Sequence, residues 1–238
     1  MTPLEIVVAS TVIAVGAAVQ GGVGFGMNLL AAPLLALIDT ELVPGPAIAA
    51  AVMLTVLVAI RERASIDRSG VAYALVGRVP GTIAGAALIA SIPERGVAIT
   101  VGVGVLVAAV LNISRPRIRP TPPTLLVAGV VSGFGSTVSS IGGPPMAVVY
   151  ANEPGPVIRG SLSMIFVVGG VMSLVALAAV GNFTGEDVVR SLVLLVPGAL
   201  GFLASKRLAA HLDAGRTRAA VLTVSVAGAL AVILKELL

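Results

Sequence analysis

The chain has no cysteine, one histidine and few charged residues. Without cysteine there is no disulfide, no iron–sulfur cluster and no thiol chemistry. The single histidine, His211, sits in the basic stretch KRLAAHLDAGRTR, and one imidazole in a loop cannot build a haem pair or a zinc site. No cofactor and no metal site is expected. Charged residues make up 11% of the 238 residues, against about 25% in a soluble domain. So little charge cannot cover a water-facing surface. The N-terminal run MTPLEIVVASTVIAVGAAVQGG lacks a basic n-region, so it is expected to stay as a membrane segment rather than be cleaved as a signal. Period-two alternation is missing too, which argues against a transmembrane β-barrel.

Apolar residues account for 57% of the chain, and mean hydropathy is +1.09. Apolar runs of roughly 17–25 residues recur, each long enough for a bilayer core of about 30 Å. An integral, multi-pass membrane protein follows, with the lipid bilayer as its surroundings. The net charge of +4 invites a nucleic-acid reading. We reject it, because the basic residues fall in short loops between apolar runs, as positive-inside topology requires.

Apolar runs and breakers predict helices at about 4–20, 25–38, 45–60, 69–91, 96–113, 124–138, 143–151, 157–181, 186–205 and 217–236. The stretch SRPRIRPTPP (114–123) reads as a linker, because its prolines oppose a helix and its arginines prefer water. The halves echo each other. GVGFGMNLLAAP pairs with SGFGSTVSSIGGPP, and RVPGTIAG with LVPGALG, in the same order. A duplicated unit is expected, with a first transmembrane repeat at 1–113 and a second at 124–238.

The basic loops 61–68, 114–123 and 206–218 should be cytoplasmic, and DTELV (39–43), which has no basic residue, should lie outside. Helices 3–5 and 8–10 then cross in opposite senses. Helices 1–2 and 6–7 must each return to their starting side. The expected fold class is an all-α integral membrane protein of two inverted-topology repeats, each a re-entrant or short helical hairpin plus three transmembrane helices.

The stretch SGFGSTVSSIGGPP puts four glycines and a Ser/Thr cluster into this apolar background. Backbone that leaves the helix at membrane depth is tolerated only where protein buries it or a wet cavity accepts it. Glycine lets a ligand approach the main chain closely. Helix N-termini at two such turns would present unpaired N–H groups and positive dipole ends. The candidate anion site is therefore Gly24, Phe25, Gly26 and Asn28 from the first hairpin, with Gly133, Phe134, Gly135, Ser136, Thr137, Ser139, Ser140, Gly142, Gly143 and Pro144 from the second. Packing of small residues between helices is the competing explanation of the glycines.

Arg78 lies deep in helix 4 and completes the candidate site. A central arginine costs roughly 2.5–3.5 kcal/mol on insertion scales, faces the interior, and its planar fork suits an oxyanion. Its counterpart in the second half is Leu195. Arg159, with the mid-helix prolines Pro80 and Pro197, is a candidate gate. Glu5, Asp39, Glu41, Glu62, Asp67, Glu94, Glu153, Glu186, Asp187, Asp213 and Glu236 map to segment ends or loops. No carboxylate or histidine is placed to relay protons through the membrane. A cation-lined path without a relay fits export, since the membrane potential alone is worth about 2.3 kcal/mol per charge per 100 mV. An intramembrane hydrolase would need a Ser–His or Asp–Asp pair at depth, so the chain does not read as an enzyme.

These motifs resemble the TauE/SafE-type sulfite exporter family of membrane permeases. The likeness rests on GGVGFGMNLLAAPLL, SGFGSTVSSIGGPPMAVVYA, RGSLSM and the VPGTIAG/VPGALG pair, and it covers nearly the whole chain. It implies a bacterial-type inner-membrane protein of two repeated halves. It also implies outward transport of sulfite, an organosulfonate such as sulfoacetate, or a related anion. By the resemblance, Gly133–Gly135, Gly142–Pro145 and Arg159 match the second-half motif and Gly24–Gly26 the first. An anion channel, and a proton-coupled importer of a related organic anion, stay open as alternatives, and so does assembly into a homo-oligomer.

Overall fold

The computed structural model describes residues 2–23, 27–114, 118–208 and 214–238, with ten α-helices and no strand among them. They are α1 (Pro3–Val23), α2 (Met27–Ile38), α3 (Gly45–Arg61), α4 (Arg68–Ser91), α5 (Glu94–Ser114), α6 (Pro122–Ser139), α7 (Gly143–Val149), α8 (Gly155–Ala179), α9 (Gly185–Leu208) and α10 (Ala214–Leu237). Seven of them, all but α2, α6 and α7, are long and apolar enough to cross a membrane. A helix is forced here because lipid offers no partner to unpaired backbone groups.

Several boundaries differ from the sequence expectation. α1 continues through Gly21 and Gly22 to Val23, which makes it about 31 Å long at 1.5 Å per residue. Glycine is tolerated in a membrane helix, where no water competes for the backbone. Pro122 and Pro123 belong to α6 rather than to the linker. At a first helical turn the missing N–H would be unpaired anyway, and Thr121 caps the helix in a capping box with Thr124. The basic loop expected at 206–218 is shorter, because α9 runs on to Leu208 and α10 begins at Ala214. Gly24, Phe25 and Gly26 lie outside the described residues, as do Arg115, Arg117 and His211.

The apolar belt is on the outside. Leu4, Leu57, Val76, Ile83, Val107, Ile113, Val127, Val175, Val196 and Leu203 are all exposed. Contiguous apolar surface on this scale would cause association in water; lipid is its natural solvent. Inside are two main cores. The larger joins α1, α2, α3 and α5 to parts of α9 and α10, around Ile13, Met27, Leu35, Leu54 and Val101. The second joins α4, α6, α7 and α8, around Leu125, Met146, Tyr150 and Ile165.

The halves interlock. α4 packs along α6 and α1 along α9, while α3 meets α8 and α5 meets α10. Small residues bring the α4–α6 seam to backbone contact. A methyl group on Gly81 would stand 2.0 Å from the Val130 carbonyl oxygen, and one on Gly77 2.1 Å from that of Leu126.

Candidate functional site

The described ends of the two hairpins meet. Asn28, in the first turn of α2, donates through Nδ2 to the Ser140 carbonyl (3.0 Å) and to the Ala47 carbonyl (3.3 Å). Ser140 caps α6 in the left-handed conformation, φ 61°. That is uncommon for a residue with a Cβ. It is held from three directions. Its N–H bonds back to the Ser136 carbonyl (2.9 Å), its Oγ donates to the Pro44 carbonyl (2.9 Å), and its own carbonyl takes the Asn28 amide.

A cavity of about 80 Å³ opens at this meeting point. The first hairpin contributes Gln20, Met27, Asn28 and Leu29, and the second Ser136, Ser140, Ile141, Gly142, Gly143 and Pro144. α3 and α8 close the sides with Ile48, Ala51, Val52, Thr55, Phe166 and Gly170. The volume is well under the roughly 300–1,000 Å³ of a site for a drug-sized ligand. It suits a small ion.

The donors differ from those the sequence leads one to expect. α7 has seven residues and opens Gly143-Pro144-Pro145. Two prolines remove two of the N–H groups that a helix N-terminus would offer. The polar lining is instead made by side chains. Gln20 and Thr55 are buried and bonded to each other, Nε2 to Oγ1 at 3.3 Å. Gln20 Oε1 also accepts the Met27 N–H. Neither residue is marked by spacing or motif, although Gln20 directly precedes Gly21-Gly22, the breaker expected to form the turn.

Among the expected site residues, Asn28, Ser136, Ser140, Gly142, Gly143 and Pro144 line the cavity. Five others in α6 do not. Thr137 Oγ1 donates to the Gly133 carbonyl and meets Ser173 Oγ at 2.9 Å. Ser139 Oγ turns back to the Gly135 carbonyl. Gly133 packs against the backbone of Arg78, Gly135 faces the Ile141 carbonyl, and Phe134 is exposed on the outer surface.

Arg78 is fully buried, one layer behind the cavity. Its Nη1 donates to Ser132 Oγ (2.7 Å). Ser132 Oγ in turn donates to the carbonyl of Gly142 (2.6 Å), which lines the cavity. On the other side the guanidinium rests on Gly169. A methyl group there would lie 2.1 Å from Nε. The next residue, Gly170, lines the cavity. Arg78 Nε and Nη2 and Thr82 Oγ1, all buried, have no hydrogen-bond partner. No carboxylate among the described residues lies within ion-pair distance of Arg78.

The proposed gate residues lie apart from the cavity. Pro80 and Pro197 are inside α4 and α9. Arg159 Nε pairs with Glu62 Oε1 at 3.1 Å, joining the start of α8 to the end of α3. Burial alone would raise the Glu62 carboxyl, but hydrogen bonds and charge from Arg159 and Arg61 hold it below the ordinary carboxylate range. At the opposite end of α3 a wider opening of about 810 Å³ contains Glu41, Glu94, Glu186, Asp187 and Arg190. Arg190 ties Glu41 of the first half to Asp187 and Glu186 of the second. Pro44 forms part of this opening, and its carbonyl takes the Ser140 hydroxyl from the cavity side. One hydrogen bond thus links the linings of the two spaces.

Comparison with known proteins agrees with the motifs. The family model described as Sulfite exporter TauE/SafE matches residues 8–232. No curated protein and no solved structure matches the chain.

Proposed function

The chain belongs to the sulfite exporter TauE/SafE family, and on that premise we propose that it exports a small sulfur-containing oxyanion, sulfite or an organosulfonate such as sulfoacetate, through the cavity between its hairpins. The observation that carries this reading is the meeting of both glycine-rich motifs at one small cavity, joined directly from Asn28 to Ser140, with the charge of Arg78 one layer behind it. The family supplies the class of anion exporter. The substrate, the site and the direction are our assignments.

The two halves, 1–113 and 124–238, are inferred to be inverted repeats. The reciprocal packing of α4 on α6 and α1 on α9, and the meeting of α3 with α8 and of α5 with α10, are what a two-fold relation in the membrane plane would produce. The positive-inside rule then puts the 61–68 end in the cytoplasm of a bacterial-type cell, in its inner membrane. The 810 Å³ opening becomes an outer vestibule. Four carboxylates against one guanidinium line it, a net of three negative charges. An acidic outer mouth disfavours return of an anion, and the layer of Pro44 and Ser140 is the closure an outgoing anion must pass.

Reconstitution into liposomes with a set membrane potential tests the reading. A carrier or channel without proton coupling distributes a monoanion by about tenfold at a potential of about 60 mV. Ethanesulfonate, an organosulfonate that stays a monoanion across neutrality, should reach that ratio regardless of any pH gradient, and sulfite and sulfoacetate should also be transported. No transport of sulfite or of either organosulfonate, or ethanesulfonate transport that carries a proton with each anion, contradicts the proposal.

A further inference from the structure

Among the described residues, Arg78 has no ion-pair partner. α2, α6 and α7 carry no Asp, Glu, Lys, Arg or His. α1 has Glu5, α3 Arg61, α4 Arg68 and α8 Arg159, each near a helix end. Of the tyrosines, Tyr73 is exposed and Tyr150 donates its hydroxyl to Asp67 near the start of α4. The cavity is therefore backed by one fixed positive charge with no described carboxylate paired to it. A guanidinium does not lose its proton in a protein, so that charge is constant with pH.

The charge is also seated firmly. Nη1 is tethered to Ser132, and Ser132 holds the Gly142 carbonyl in the cavity wall. A side chain at Gly169 would have to push the guanidinium aside. Two edges of the cavity, at Gly142 and Gly170, thus border the residues that grip Arg78.

We propose that Arg78 sets the valence of the transported anion, favouring singly charged oxyanions such as hydrogen sulfite or a simple alkanesulfonate over dianions such as sulfate, and so ranking sulfite above fully ionised sulfoacetate among the substrates proposed. The inference rests on the cavity being the anion site. One negative charge neutralises the buried guanidinium. A dianion leaves a net negative charge in a low-dielectric interior, and a neutral solute leaves the cation uncompensated; both are penalised by desolvation. Arg78 acts as a positioning and selecting residue from behind the wall.

Binding to the purified full-length chain, measured by calorimetry, tests this with three anions. Ethanesulfonate is a monoanion throughout the neutral range, sulfate is a dianion, and sulfite passes from mono- to dianion as pH rises through neutrality. Ethanesulfonate should bind equally on both sides of neutrality and at least about tenfold tighter than sulfate. Sulfite should weaken as pH rises. Arg78→Lys, which keeps the charge, should keep that ranking, and Arg78→Gln should erase it. If Arg78→Gln does not fold, Gly169→Ala, which displaces the guanidinium, should narrow the gap between ethanesulfonate and sulfate. Equal or tighter binding of sulfate, tighter sulfite binding at alkaline pH, or an unchanged ranking in Arg78→Gln or Gly169→Ala overturns the valence proposal while leaving anion transport intact. Failure of every anion to bind overturns the reading of the cavity itself.

Discussion

The two seams that join the halves are built alike and filled differently. In each, glycine lets one helix rest on the backbone of another. Gly81 of α4 would place a methyl group 2.0 Å from the Val130 carbonyl oxygen, and Gly201 of α9 would place one 2.0 Å from that of Ala14. The α1–α9 seam is mainly apolar, with Ile13, and Leu54 of α3, against Gly198, and among the described side chains of these two helices no arginine is buried. The α4–α6 seam buries Arg78, Thr82, Ser132 and Thr137, and three of the polar atoms there lack a partner. Packing is satisfied in both. The charge is thus not required by the fold, and an unpaired buried cation is costly. Its presence in one seam only is best explained by function.

The comparison breaks first at the glycines. Gly81→Leu and Gly201→Leu should each destabilise the protein by about 3 kcal/mol or more, since the opposing atom is a main-chain carbonyl that cannot yield. Size-exclusion profiles and thermal unfolding in detergent would show it. A tolerated Gly201→Leu would mean that the seams are not equivalent.

Arg78→Leu makes the polar seam resemble the apolar one, whose corresponding residue is Leu195. Transport should be lost, while stability should stay level or rise by about 1 kcal/mol or more. Loss of both together would place Arg78 in the scaffold instead. Ser140→Ala sharpens the contrast between cavity and vestibule. It removes the hydroxyl bond to Pro44 and should cost about 1–2 kcal/mol, with a raised anion leak as the functional readout. An unchanged leak would exclude that layer as the closure.

The smallest effect is expected at the other end of α3. Glu62 is held below its ordinary range by Arg159 and Arg61. Its stabilisation is therefore present above about pH 4.3, the usual glutamate value, and is lost as pH falls through the lowered one. Glu62→Gln should flatten that acid-side loss and cost less than about 1 kcal/mol at neutral pH. Unfolding curves across the acid range would show whether the two variants converge at low pH, as expected.

Much of this architecture was legible because lipid leaves the backbone few choices. The apolar run predicted at about 45–60 is α3 at Gly45–Arg61, and the one at about 96–113 is α5 at Glu94–Ser114. Prolines and glycines misled where their context was special. Pro122 and Pro123 occupy a helix start, which accepts them, and Gly21-Gly22 continue a helix that lipid protects. The cavity was partly legible. The doubled breaker and the serine cluster pointed to Asn28, Ser136, Ser140 and Gly142–Pro144, which line it. Thr137 and Ser139 looked the same in sequence, yet each bonds the carbonyl four residues back in its own helix. A single Gln or Thr in an apolar run carries no periodic signal, so Gln20 and Thr55 were missed. Arg78 was legible as a deep charge; that it stands behind the wall rather than in it depends on Ser132 and Gly169.

The most direct test of the account is to locate an anion. Crystals grown with selenite, the heavier analogue of sulfite, would give an anomalous signal from the bound selenium. The account predicts a peak in the cavity between Asn28 and Gly142, weakened or absent in Arg78→Gln. A peak confined to the outer vestibule or to the surface would contradict it.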